Sequence, residues 1–327
     1  MQKMKTAIVN RAQELLQEGT VDRILGLIKG EFIYDVMPAV VTQDTLGLLE
    51  HNAFSGANVS KYLIDETKKD GKILAILKPC DTFSFNQLIK ENRIDRDKVF
   101  VLGVGCNGMI DIDKLRDKGV SAIASVEATA DGFVVRSREG EQEFSREDVL
   151  LEKCLACKSK EHVAYDEIIE LETPAGATEN DRFAQVSELE EMTPEERFAF
   201  WRNELSRCIR CNACRNVCPA CSCLNCVFDN DASGISSKAN SDEFEENMFH
   251  IIRAFHVAGR CTDCGECSRV CPQGIPLHLL NRKFIKDSNE LYGEYQAGAD
   301  TDSEWPLVHY ELDDVEPGES KAQGGKK

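Results

Sequence analysis

The sequence predicts an α/β domain with a mostly parallel sheet, followed by an all-α domain. Three observations carry this. From Val21 to Gly140, short apolar runs alternate with helical patterns, the signature of βαβ units. The second half contains two cysteine runs of identical spacing, Cys208-x-x-Cys211-x-x-Cys214-x-x-x-Cys218-Pro219 and Cys261-x-x-Cys264-x-x-Cys267-x-x-x-Cys271-Pro272. Between those runs lies a long helix-period segment, Asp242 to Ala258, which sets the domain apart from a compact β-containing one. A chain of 327 residues is long enough for two cores. Composition shifts divide it into an α/β domain at 1–172, an acidic linker at 173–193, a helical domain at 194–290 and an acidic tail at 291–327.

Met1 to Gly19 reads as an amphipathic helix with Ala7, Ile8, Ala12, Leu15 and Leu16 on one side. It lacks the unbroken apolar core of a signal peptide. Val21–Ile28 and Ile33–Val41 read as strands, and Asp44–His51 and Asn58–Lys69 as helices with Asp44 and Asn58 as N-caps. Lys72–Leu77 is a continuous apolar run of the kind buried on both faces of a parallel sheet. A helix from about Phe83 to Asn92 follows it. A second unit has a strand at Val99–Leu102, a glycine turn, and a short helix through Leu115 to Gly119. A third strand, Val120–Val126, leads to a hairpin around Asp131-Gly132.

Cys80 and Cys106 each stand just after a buried strand, at the carboxyl edge of the sheet, where open α/β sheets place ligands. Cys154-Leu-Ala-Cys157 supplies two further thiols, and the four together make the donor set of a third 4Fe–4S cluster. Taken singly, Cys80 or Cys106 reads as a buried structural thiol. The same turn carries a competing signal. Gly103-x-Gly105-x-x-Gly108 follows a strand, with Glu127 after the next one, which is the pattern of a dinucleotide site with its ribose-binding acid. Against it stand a short helix bearing Asp111 and Asp113, and Cys106 inside the loop itself. Lys78 and Asp81 flank Cys80 as tuning charges, or simply as turn and cap.

Thr193-Pro194-Glu195-Glu196 is a capping box that starts a helix leading to Cys208. In paired runs of this spacing, three thiolates hold one cube and the cysteine before proline ligates the other. That assigns Cys208, Cys211, Cys214 and Cys271 to one cluster, and Cys261, Cys264, Cys267 and Cys218 to the second. Structural zinc is the alternative, but zinc sites have no use for a third cysteine plus Cys-Pro in each run. Cys221, Cys223 and Cys226 exceed what two cubes require and are left without an assignment. On the intervening helix, Phe244, Met248, Ile251, Ile252 and Phe255 form a stripe expected to be core, and His250 and His256 are expected to pack or cap.

Fifteen cysteines grouped in short Cys-x-x-Cys units, without a secretory signal, point to metal-binding thiolates in a reducing cytoplasm. The net charge of −18 argues against nucleic acid. Arg207, Arg210, Arg215, Arg260, Arg269, Arg282 and Lys283 reverse that balance around the thiols, where cations raise the potential of anionic clusters. No apolar run approaches the length of a membrane span.

Lys78-Pro-Cys80-Asp, Gly103-Val-Gly-Cys106-Asn-Gly and Cys154-x-x-Cys157 followed by Tyr165-Asp166 resemble the beta-subunit family of deazaflavin (coenzyme F420) hydrogenases and formate dehydrogenases. In that family the corresponding cysteines ligate a 4Fe–4S cluster beside a flavin. Arg207 to Phe284 resembles the helical di-cluster ferredoxin subunit of heterodisulfide reductase, and is similar to that domain of succinate dehydrogenase's iron–sulfur subunit. Many relatives carry the ferredoxin domain first, whereas here it comes second. Flavin-binding members also begin with a longer glycine-rich segment ahead of the stretch matching Val21 to Leu63, where this chain has its first helix. No flavin-contacting residue is therefore carried over, and FAD remains an alternative.

The resemblance implies an iron–sulfur electron-transfer subunit of a cytosolic anaerobic redox complex, with three 4Fe–4S clusters and no general acid or nucleophile of its own. Its partners would be a heterodisulfide-reductase-like flavoprotein, a hydrogenase or a formate dehydrogenase. The alternatives are a flavin-dependent subunit taking hydride from a nicotinamide or deazaflavin, and a scaffold holding zinc in its first domain.

Overall fold

The chain folds as two units, residues 1–181 and 182–327, in a computed structural model that describes residues 2–158, 160–170, 181–230, 232 and 243–309. In the first unit, α1 (Gln2–Gln17) buries Met4, Ile8, Ala12 and Leu15, one residue per turn along a single stripe. It lies on a five-stranded sheet of β1 (Arg23–Lys29), β2 (Val36–Val41), β3 (Ile73–Leu77), β4 (Val99–Val104) and β8 (Glu167–Ile169), in the order β2-β1-β3-β4-β8. β1, β3, β4 and β8 are mutually parallel, and β2 adds an antiparallel edge, so the sheet is mixed.

β3 reads as five apolar residues in a row because both of its faces are covered. Ile73, Ala75 and Leu77 pack with Leu63, Phe85 and Leu88 on one side, while Leu74 packs with Ala12 and Leu15 on the other. Between β1 and β4 come α2 (Leu63–Glu66) and α3 (Pro79–Lys90). Asp44–His51 and the start of Asn58–Lys69, expected as α-helices, are short 3-10 turns at Gln43–Leu48 and Ser60–Tyr62.

α4 (Ile112–Asp117) then leads to β5 (Ser125–Ala128), β6 (Gly132–Ser137) and β7 (Gly140–Ser145). These three form a separate antiparallel sheet, so the strand expected at Val120–Val126 does not extend the parallel one. The expected hairpin around Asp131-Gly132 is the β5–β6 turn. α5 (Arg146–Val149) and α6 (Glu152–Leu155) return the chain to the carboxyl edge of the main sheet, and β8 closes its far side.

The regular elements described in the second unit are helices: α7 (Ala184–Glu191), α8 (Pro194–Ser206), α9 (Ala213–Val217), α10 (Glu243–Val257), α11 (Glu266–Arg269) and α12 (Leu277–Tyr292). α8 begins at the expected capping box, with Thr193 Oγ1 accepting from the Glu196 amide and the Glu196 carboxylate accepting from the Thr193 amide at 2.9 Å. Residues 181–193 were expected as linker on their acidity, but they contain α7. Its Val186 and Leu189 pack on Leu279, and its Glu190 pairs with Lys283 and Lys286 of α12, so the acid serves an interface rather than solvent. The remainder of that expected linker, 173–180, lies outside the described residues. Part of the expected acidic tail is held down as well. Ala297 is buried, and Arg260 lies over the Trp305 ring at 5.6 Å, while 310–327 fall outside the described residues. No described helix is long and apolar enough to cross a membrane.

α10 contradicts the apolar-stripe reading. Phe244 and Phe255 are 69% and 62% exposed, and Met248 and Ile251 are exposed too. The buried stripe is Glu246, Phe249, His250, Arg253, Ala254 and Val257, nearly opposite on the helix. A helix that turns Glu, His and Arg inward needs polar or charged groups facing it, and here it faces the cysteine loops.

Candidate metal centres

In the first unit, β3 and β4 end side by side and deliver Cys80 and Cys106 to the same edge. Cys80 lies in the first turn of α3, whose capping residue Lys78 donates its backbone N–H to Asp81 Oδ2 at 3.1 Å. Lys78 Nζ is buried and donates to Asp81 Oδ2 at 2.8 Å and to the Ala57 carbonyl at 2.7 Å, so a satisfied ion pair brackets Cys80. Cys154 sits on α6 and Cys157 just beyond it, while Lys153, the residue before Cys154, donates to the Gly56 carbonyl at 2.6 Å.

The structure brings these four thiols together. The charge of Cys157 acts on Cys80, Cys106 and Cys154, and that of Cys106 acts on Cys154. Burial pushes the Cys154 thiol up to about 12 and raises Cys80 and Cys106 as well, while Lys78 and Lys153 act in the opposite direction. The donor set is therefore half-buried, thiol-rich and cation-flanked, which suits an anionic thiolate centre.

The dinucleotide pattern is not realised here. Gly103 is needed because a Cβ there would meet the His162 ring at 3.0 Å, and Gly108 because its φ is +85°. The next helix, α4, starts four residues later, and the Asp111 side chain occupies its N-terminus by accepting from the Asp113 amide. Instead of facing a phosphate, the loop donates the Gly108 N–H to Cys106 Sγ at 3.4 Å. Glu127 sits on β5 in the other sheet, paired with Arg136.

In the second unit the two cysteine runs fold alike. Each takes left-handed backbone at the second and fourth residues after its first cysteine: Arg210 (φ 52°) and Asn212 (φ 60°), then Asp263 (φ 54°) and Gly265 (φ 66°). Such turns curl the loop so that amides point at sulfur. The Arg210 N–H donates to Cys208 Sγ at 3.4 Å, and the Asp263 amide likewise hydrogen-bonds Cys261. Non-glycine residues pay about 1–3 kcal/mol for strained backbone, and of the three here Arg210 and Asp263 are pinned by buried ion pairs. Arg210 faces Glu246 of α10 at 3.8 Å and stacks on Phe249 at 4.1 Å, while Asp263 accepts from Arg282 of α12 at 2.8 Å.

A cavity is lined by Cys208, Cys211, Cys214 and Cys271, the first expected set. Cys218 packs with Cys261, and the charges of Cys218 and Cys264 act on Cys261 while that of Cys218 acts on Cys267, which draws the second expected set together. Asn281 Nδ2 donates to Cys267 Sγ at 3.8 Å. Burial pushes Cys208 and Cys267 up to about 12, so these thiols hold their protons more tightly than a free cysteine does.

Of the three extra cysteines, Cys221 lies beside Cys218 and Cys261, Cys226 accepts from Arg215 at 3.5 Å, and Cys223 is exposed. His256 is exposed, with its ring centroid 6.5 Å from that of Phe228. His250 is 1% exposed, and neither ring nitrogen has a hydrogen-bond partner among the described residues. Its donor atom comes within 4.8 Å of those of Cys208 and Glu246.

Arg253 and Glu246 were missed in the sequence. The signal available was their i, i+3, i+4 spacing with Phe249, His250 and Val257, which the neighbouring aromatic stripe masked. Arg253 is 1% exposed, and its three nitrogens have no hydrogen-bond partner among the described residues, although the charges of Cys267, Cys214, Cys218 and Cys221 act on it. A buried cation without an acceptor, under the influence of the candidate ligand cysteines, is the arrangement expected around anionic clusters, and the donor sets fit them.

Comparison with known proteins agrees with that chemistry. Residues 204–275 match the model of a 4Fe-4S dicluster domain family. The chain is 26% identical over 342 residues to the F420-dependent formate dehydrogenase subunit beta of Methanocaldococcus jannaschii, covering 85% of this chain and 88% of that one. It is 25% identical over 358 residues to the F420-dependent formate dehydrogenase 1 subunit beta of Methanococcus maripaludis, covering 88% and 89%. A solved structure of the F420-reducing [NiFe] hydrogenase complex from Methanosarcina barkeri is similar over 48% of this chain and 59% of its own, at 18% identity and a TM-score of 0.37.

Proposed function

We infer what this protein does from its membership of the beta-subunit family of F420 (deazaflavin) hydrogenases and formate dehydrogenases, joined here to a 4Fe–4S dicluster domain. It is an iron–sulfur electron-transfer subunit of an oxidoreductase complex. Beyond that, we propose that it carries three 4Fe–4S clusters. Cys208, Cys211, Cys214 and Cys271 hold one, Cys261, Cys264, Cys267 and Cys218 hold the second, and Cys80, Cys106, Cys154 and Cys157 hold the third. Cys80 and Cys106 follow two neighbouring strands, Cys157 acts electrostatically on both and Cys106 on Cys154, and this convergence is the single observation that supports the third site. The ferredoxin part of this reading is an all-α domain spanning 194–290.

Bound clusters supply one-electron transfer. The chain's own residues hold the thiolates, direct amides at sulfur and set cations beside them: Lys78 and Lys153 in the first unit, Arg253 in the second. Lys78 donates to Asp81 Oδ2 at 2.8 Å, and Asp81 Oδ1 accepts from Cys80 Sγ at 3.7 Å, so the reading gives this pair the role of tuning that thiol. Twelve ligand thiolates call for a reducing compartment, which favours the cytoplasm. As partner we propose the catalytic subunit of a formate dehydrogenase, with a hydrogenase or a heterodisulfide-reductase-like flavoprotein as the other members of the same class.

Anaerobic purification tests this. The expected result is iron–sulfur absorption without stoichiometric flavin, together with co-purification of a formate-oxidising subunit. One flavin extracted per chain would overturn the pure relay in favour of a hydride-accepting flavin subunit.

A further inference from the structure

We propose that Arg253 is an electrostatic bridge shared by both clusters of the second unit, donating hydrogen bonds to sulfur on both sides so that their potentials move together. This rests on the cysteine assignments above.

Its position follows from helix geometry. Phe249, Arg253 and Val257 lie four residues apart on the buried face of α10. One turn before Arg253, Phe249 packs with Cys214 and Cys267; one turn after it, Val257 packs with Cys218 and Cys261. The guanidinium is thus flanked by Cys214 of the first set and by Cys267 and Cys218 of the second. Neighbouring buried carboxylates already have cations: Glu246 has Arg210, Asp263 has Arg282, and Glu266 has Arg269.

None of Nε, Nη1 and Nη2 of Arg253 has a hydrogen-bond partner among the described residues. A fully buried, unpaired cation is among the costliest features a fold can carry, so its acceptors are the thiolates and sulfides of the loaded sites. Arginine suits this place because it stays charged and presents five donors in a rigid fork, enough to serve acceptors on two sides, whereas lysine offers a point charge. A cation between two anionic centres favours the reduced form of each. It also offsets the repulsion that an electron on one exerts on an electron entering the other.

The test uses the full chain, purified anaerobically, as wild type, R253K and R253Q, with iron analysis and an EPR-monitored redox titration. R253K is expected to keep its iron. R253Q is expected to lower the one-electron reduction equilibrium of both second-unit clusters at least tenfold, about 59 mV each, without moving the signal that depends on Cys80. R253Q losing second-unit iron while R253K retains it also supports the bridge. If R253Q keeps its iron and shifts one or neither of the two clusters, or shifts all signals alike, the bridge is refuted. Iron loss from R253K assigns Arg253 to packing and refutes it too. A wild-type chain without second-unit iron would instead overturn the cluster assignments themselves.

Discussion

Arg282 on α12 supports the cradle of the second cysteine run from outside. Its Nε donates to Asp263 Oδ1 at 2.8 Å, both side chains are 2% exposed, and Asp263 stands in left-handed backbone between Cys261 and Cys264. The guanidinium also donates to the Arg182 carbonyl at 3.3 Å. Arg282→Met keeps the aliphatic stem in place but leaves the Asp263 carboxylate buried without its cation, at a cost of about 3–5 kcal/mol. At about 1.4 kcal/mol per tenfold, the open form of this cradle becomes roughly one hundred to several thousand times more populated.

Iron loss to a colorimetric chelator under anaerobic conditions reports that population when opening is fast relative to capture. The expected trace for R282M is biphasic, with the iron of one cluster leaving faster by that factor and the rest leaving at the wild-type rate. The double variant D263N/R282M removes the orphaned charge and should recover most of the loss. The reasoning is wrong if single and double variants release iron equally fast, or if all the iron leaves in one phase.

Three further outcomes follow from the same structure. Cys157→Ala or Cys80→Ala should remove about four irons per chain while leaving the EPR signals of the ferredoxin pair intact; unchanged iron content would break the grouping of the first-unit thiols. Burial and the neighbouring Lys78 push the His51 imidazole down to about 3. The unfolded chain takes that proton near 6.5, so this contribution to stability is complete above 6.5 and is lost as pH falls toward 3, at up to about 1.4 kcal/mol per pH unit. Urea midpoints followed by circular dichroism should show that slope and lose part of it in H51Q; identical slopes would reject the assignment. Thr193→Ala removes the Oγ1 acceptor of the α8 capping box, and should cost about 1 kcal/mol by the same urea assay, whereas no change in midpoint would mean that the box is not formed in solution.

What was legible in the sequence was what local chemistry dictates. The cysteine spacing forces three donors into one turn of loop, and the apolar run at Ile73–Leu77 can hardly be other than a doubly covered strand. The carboxyl-edge positions of Cys80 and Cys106 followed from those strands. What failed depended on partners distant in sequence. On α10 the largest apolar residues looked like the inward face, yet Phe244 and Phe255 point out because the cysteine loops require Glu246, His250 and Arg253 within. The acidic stretch around Glu190 looked solvated until Lys283 and Lys286, almost a hundred residues later, came to meet it. The glycines of the 103–108 turn matched a phosphate-binding pattern because close approach of His162 and a left-handed backbone require the same residue type for unrelated reasons.

The most direct test of the central claim is a joint count of iron, acid-labile sulfide and zinc in the anaerobically purified chain. Three cubes predict about twelve irons with matching sulfide and no zinc. About eight irons, with or without one zinc, would contradict a cluster held by Cys80, Cys106, Cys154 and Cys157.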